Sequence, residues 1–92
     1  MIHSFATPQT EQLFHSLRVR QFVNIERIAR RKLLQIHAAT VLESLRVPPV
    51  NKLEALRGDL KGLHSIRIKD QWRVCFVWTI EGPKNVEIVD YH

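Results

Sequence analysis

Cysteine is almost absent from this 92-residue chain: Cys75 stands alone, so no internal disulfide can form. It lies mid-strand with no partner base, which argues against a catalytic thiol. Glycine is scarce too. The three glycines never cluster, which removes the phosphate-cradling loops of nucleotide-binding folds. Five histidines (His3, His15, His37, His64 and His92) are scattered, with no pair at helical ligand spacing. Together with a single cysteine they form no metal signature, so no metal or cofactor is expected. A nucleophile elbow for Ser-His-Asp hydrolysis is also missing. No apolar run approaches the length of a membrane span, and no signal peptide opens the chain. A cytoplasmic protein with no membrane partner is the default.

Acidic residues are outnumbered, 9 against 14 lysines and arginines, for a net charge of +5. With a pI near 10.0, the chain suits a polyanion, nucleic acid first. The charge is uneven: Arg18, Arg20, Arg27, Arg30, Arg31 and Lys32 face Glu26 alone between residues 18 and 32. A hydrophobic content of 45% at this length predicts one domain, residues 1–92, with a modest core.

The most informative stretch is His64 to Trp78. Alternation predicts two strands joined near Asp70. Ile66 and Ile68 share one face, and Trp72, Val74, Phe76 and Trp78 belong with them. Ser65, Arg67, Arg73 and Cys75 take the other. Keeping these faces consistent demands a register with Ile66 opposite Val74 and Arg67 opposite Arg73. Parity then predicts an odd loop, Lys69 to Gln71, with Ile68 opposite Trp72. Two guanidiniums placed opposite each other repel unless an anion lies between them.

Elsewhere, Met1 to Ala6 is β-leaning. Thr7-Pro8 starts a helix running to about Leu17, with Leu13, Phe14 and Leu17 buried. A longer helix spans about Phe22 to Ala39, where Phe22, Ile25, Ala29, Leu33 and Ile36 recur at steps of three and four. Thr40 to Glu43 matches a capping box before Pro48-Pro49. An irregular connector, Val50 to Gly62, turns at Gly58-Asp59, and a final strand follows from about Asn85 to Tyr91. The order β-α-α-β-β-β predicts a two-layer α+β domain, its antiparallel sheet covered by helices on one face. The open face then carries Arg67 and Arg73.

What remains for chemistry is a cationic cluster with a few proton carriers. Lys52, Arg57, Arg67 and Arg73 supply charge, and Glu54, Asp90, Tyr91 and His92 can move protons. RNA cleavage needs little more: a base for the 2′-hydroxyl, cations for the phosphorane, an acid for the leaving 5′-oxygen.

The segment from Asn51 to Trp78, the Ile2–Phe5 opening and the terminal Val-Asp-Tyr-His resemble the HigB group of the RelE/ParE toxin superfamily. Within that segment the likeness rests on Leu53 to Asp59 and on His64 to Arg73. The resemblance spans the chain and implies a RelE-like fold. It implies a type II toxin acting as a ribosome-dependent, metal-independent mRNA endonuclease, leaving 2′,3′-cyclic phosphate and 5′-hydroxyl ends. By the same resemblance, Arg73 contacts the scissile phosphate, and Arg57 occupies a basic position before Gly-Asp. Asp90, Tyr91 and His92 match terminal catalytic and recognition residues. Position 54 is Glu54 where a histidine can serve, so Glu54, Asp90 and His92 all stay open as the general base. Arg27, Arg30 and Arg31 would face RNA of the small ribosomal subunit; Lys52, and Arg67 by its place on the open face rather than by the resemblance, would add to RNA binding. A HigA-type helix-turn-helix antitoxin is the implied partner. Two competing readings are a ParE-like gyrase inhibitor, which shares the fold, and a non-catalytic RNA-binding module.

Overall fold

Thr7 and Pro8 open the first helix as their chemistry dictates. In the computed structural model, which describes residues 1–56 and 62–91, α1 spans Pro8–Phe14. The Thr7 hydroxyl accepts the Thr10 amide at 3.3 Å, satisfying a free donor of the first turn. The helix stops one turn earlier than expected. Ser16 adopts a left-handed φ of 67°, and Leu17 N and Ser16 N donate back to Gln12 O and Leu13 O. This is the paired bonding of a Schellman ending, with serine where glycine is usual. Leu17, expected inside, is therefore carried out to solvent.

The second helix, α2, spans Glu26–Ala38 and is entered through a 3₁₀ segment at Arg20–Ile25. Phe22, Ile25, Ala29, Leu33 and Ile36 are all buried, so the stripe crosses the change in helix type unbroken. The capping box does not form. Val41 caps the next 3₁₀ segment, Leu42–Arg46, without a side-chain bond, and Glu43 pairs with Arg46 instead.

Among the described residues the sheet has four antiparallel strands in the order β1-β2-β3-β4: Glu54–Ala55, Leu63–Lys69, Trp72–Thr79 and Gly82–Asp90. β1 emerges from the connector read as irregular. The Gly58-Asp59 turn and the site positions Arg57 and His92 lie outside the described residues. Met1 to Ala6 contributes a single parallel bridge, Phe5 to Val86, along the outer edge of β4. Ala6 N and Val86 N close it, and the Thr10 hydroxyl takes the Ile88 amide at 3.1 Å. Together these contacts cover an edge that would otherwise be open to pairing.

The helices pack on one face, giving the expected two-layer α+β arrangement. Ile66, Val74, Phe76 and Val86 are fully buried there with Leu13, Leu33 and Ile36. Trp72 meets Phe22 edge-on at 5.8 Å between ring centroids. Ile66 pairs with Val74 and Arg67 with Arg73, as the faces require. The loop differs from expectation. Lys69 pairs with Trp72, leaving a two-residue turn, Asp70-Gln71, with Asp70 at φ 51°. A register shift between Arg67 and Lys69 absorbs the odd residue, so Ile68 stays in the core without a longer loop.

Candidate active site

The open face is built in rungs. One crosses all four strands: Glu54 opposite Ser65, Ser65 opposite Cys75, Cys75 opposite Glu87. The next holds Arg67, Arg73 and Val89. Side chains on one rung share a face, so the register gathers these groups from residues far apart in sequence.

Arg73 is 9% exposed despite lying on the open face. Its Nε donates to Ser65 Oγ at 2.8 Å, and its Nη2 donates to Lys52 O at 2.7 Å and Ser65 O at 3.2 Å. The guanidinium thus leans diagonally away from Arg67, which relieves the like-charge contact that the register creates. Every one of these acceptors is neutral. Among the described residues no carboxylate forms an ion pair with Arg73. A nearly buried cation fixed by neutral acceptors is costly to keep and attracts an anion.

Lys52 contributes through its backbone. It closes the short 3₁₀ turn Pro49–Asn51 with a left-handed φ of 46°, and its carbonyl meets Arg73 while its side chain stays exposed. That turn is anchored from inside. Lys32 Nζ donates to Asn51 Oδ1 at 2.6 Å, and Asn51 Nδ2 donates to Leu45 O at 3.0 Å. Burial, with Arg31 nearby, pushes the Lys32 ammonium below its usual range.

Tyr91 follows β4 and stands beside Cys75. Burial of its hydroxyl raises its pKa, and the neighbouring Cys75 and Glu54 add to the shift while Arg73 opposes it. The phenol is therefore a proton-bearing group at neutral pH. Burial likewise raises the Cys75 thiol, against the pull of Arg73, so Cys75 is no thiolate. Glu54 is an exposed carboxylate on the same face, close enough to act on Tyr91.

Other expected residues fall elsewhere. Asp90 is exposed and pairs with Trp72, one position out of phase with the Arg73 rung. Arg67 is half-buried opposite Arg73. Arg27, Arg30 and Arg31 lie on α2, in the layer behind the sheet. Arg30 is engaged internally, donating to Leu13 O, Leu17 O and Glu26 Oε1 at 3.0, 2.9 and 2.6 Å. Arg27 and Arg31 are exposed and flank an open groove of about 540 Å³ with Val23 and Leu34. Ser65, fully buried, is a site residue that sequence chemistry does not mark, although its parity with Arg67 points to the open face. The Lys52 carbonyl had no signal at all, because backbone acceptors are invisible to side-chain reasoning.

A small α+β domain with helices behind an antiparallel sheet and an arginine held on the open face is the architecture of a RelE-like toxin. Residues 4–92 match the family described as RelE-like toxin of type II toxin-antitoxin system HigB, and the chain belongs to it. Toxin HigB-1 of Vibrio cholerae serotype O1 (strain ATCC 39315 / El Tor Inaba N16961) is 46% identical over 69 residues, 75% of this chain and 72% of that toxin. Membership implies a cognate antitoxin as partner. Among the described residues, no helix is long and apolar enough to cross a membrane.

Proposed function

We propose that this toxin is a ribosome-dependent mRNA endonuclease whose open sheet face grips the scissile phosphate. The observation that carries the reading is the Arg73 guanidinium, pinned by Ser65 and the Lys52 carbonyl beside Tyr91 and Glu54. In this mechanism the Glu54 carboxylate takes the proton of the 2′-hydroxyl as that oxygen attacks the adjacent phosphorus. Arg73 stabilises the added negative charge of the phosphorane, a contribution of about 2.7–4 kcal/mol for one well-placed donor. Tyr91 returns a proton to the departing 5′-oxygen. The products carry a 2′,3′-cyclic phosphate and a 5′-hydroxyl, and the side chains alone supply the acid, base and cation.

By family resemblance, Arg57, Asp90 and His92 complete the proton-transfer and recognition set. Lys52 and Arg67 flank the RNA backbone with exposed or half-exposed charge. Arg27 and Arg31, on the far side of the sheet, contact ribosomal RNA while the open face meets mRNA in the vacant decoding site. A ribosome that positions the strand supplies the orientation that so few acid-base groups need. The cognate antitoxin is of the helix-turn-helix HigA type, and the toxin acts in the cytoplasm.

Mapping mRNA 5′ ends after induction tests the assignment. The wild type gives new 5′-hydroxyl ends within translated codons, and Arg73→Ala gives none while remaining folded. Full cutting and growth arrest by that variant would refute the phosphate role of Arg73. A DNA-damage response without mRNA cuts would point instead to gyrase inhibition.

A further inference from the structure

Beside the Arg73 rung the open face sinks into a cavity of about 270 Å³ lined by Leu56, Leu63, Cys75, Glu87, Val89 and Tyr91, with Asn85 at its edge. A bulge in β4 borders the cavity. Cys75 pairs with Glu87 but Val77 pairs with Lys84, so an extra β4 residue is accommodated, and Asn85 takes a left-handed φ of 53°. The cavity lining is mostly apolar and includes the protonated Cys75 thiol. Among the described residues Glu87 forms no ion pair, although it is the carboxylate on this lining. Arg73 lies one rung from Cys75, roughly 7 Å along β3. A base next to a phosphate held by Arg73 falls at that range.

We propose that this cavity is a nucleobase pocket in which Glu87 selects guanine on the nucleotide flanking the scissile phosphate. The proposal rests on the phosphate site argued above. The largely apolar lining and the Tyr91 ring suit the face of a base. Glu87 then decides which base. A carboxylate offers two acceptors and no donor. Guanine presents two donors side by side, N1–H and the N2 amino group, and fills both. Adenine and cytosine each present one amino group beside a ring acceptor, which faces the carboxylate unfavourably. Uracil sets carbonyl oxygens on both sides of its one donor and is repelled most. Discrimination by a single well-aligned pair of this kind amounts to about tenfold or more.

The test uses the full chain and free nucleotides. Titrating 5′-GMP and 5′-UMP while following backbone amide NMR signals compares two ligands with the same phosphate. GMP is expected to bind at least tenfold more tightly, shifting Cys75, Glu87 and Val89. Glu87→Gln, which keeps size and shape, is expected to erase the difference. Equal binding of the two nucleotides, or a guanine preference that survives Glu87→Gln, overturns the proposal. The wild-type comparison decides the matter even if the variant folds poorly. Cut-site mapping separates this failure from failure of the nuclease reading. Cuts without guanine beside them remove the pocket assignment and leave the nuclease. Selective GMP binding without any mRNA cuts leaves the pocket and removes the nuclease.

Discussion

Arg73 and Ser65, eight residues apart and on neighbouring strands, are joined twice: Nε to the hydroxyl at 2.8 Å and Nη2 to the carbonyl at 3.2 Å. The two bonds fix the plane of the guanidinium, and only the hydroxyl bond depends on the serine side chain. Ser65→Ala therefore leaves the charge in place and loosens its aim. The loss of one charged hydrogen bond, about 1.5 kcal/mol, corresponds to roughly a tenfold drop in cutting. The yield of mRNA 5′ ends at equal toxin levels checks it. Thermal unfolding of the same variant should fall by only a few degrees.

Tyr91 carries its proton beyond the ordinary pH range of a phenol, because its hydroxyl is partly buried and stands near Cys75 and Glu54. Activity should therefore not fall through Tyr91 ionisation until the medium is more alkaline than pH 10. Tyr91→Phe keeps the ring and deletes the proton. It should reduce single-turnover cleavage on programmed ribosomes by about 10²–10⁴. An undiminished rate would leave Tyr91 a stacking platform only.

The basic face of α2 divides into structural and free arginines. Arg30→Ala removes three acceptor contacts, one to Leu13 O in the last turn of α1 and one to Leu17 O just beyond it, and should cost about 1–3 kcal/mol in chemical unfolding. Arg27→Ala and Arg31→Ala should change stability by less than about 0.5 kcal/mol, since both are exposed. Their effect should appear as weaker, more salt-sensitive ribosome binding.

Lys32 makes stability depend on pH in an unusual direction. Its folded pKa lies below 10.5 because the charged form is buried. Below the folded pKa both states are charged, and the fold bears the cost of a buried ammonium. As pH rises through that value the folded state loses its proton first, the unfolded chain binds more protons, and stability rises until about pH 10.5. Urea unfolding of wild type and Lys32→Met across pH 7 to 10.5 should show the difference moving in favour of the wild type. A flat difference would mean that Lys32 is equally charged in both states.

Face assignment was the most legible property of the sequence, because strand alternation and the helical stripe both report burial directly. Ile66, Val74, Phe76, Leu33 and Ile36 are buried, and Arg67 meets Arg73, as the periodicity requires. Features set by single backbone conformations were not legible. Ser16 ends α1 in a conformation usually given to glycine, and a bulge beside Ile68 replaces a longer loop. The site was legible as a set of charges on one face. Its restraints were not, since the Lys52 carbonyl and the internal Lys32–Asn51 anchor carry no local pattern.

β1 is two residues long and lies at the edge of the sheet, yet Glu54 belongs to it and Lys52 leads into it. Among the described residues it pairs with Ser65 and His64, and Leu56 N adds a bond to Leu63 O at 2.9 Å. A strand held by so few rungs opens at a lower free energy than the sheet it joins. When it opens, the proposed base departs, while the Lys52 carbonyl, set by the anchored turn before the strand, and the core packed behind β2, β3 and β4 stay in place. If Glu54 is the base, opening of this strand silences the toxin without unfolding it, and warming should disarm it below the temperature at which it melts.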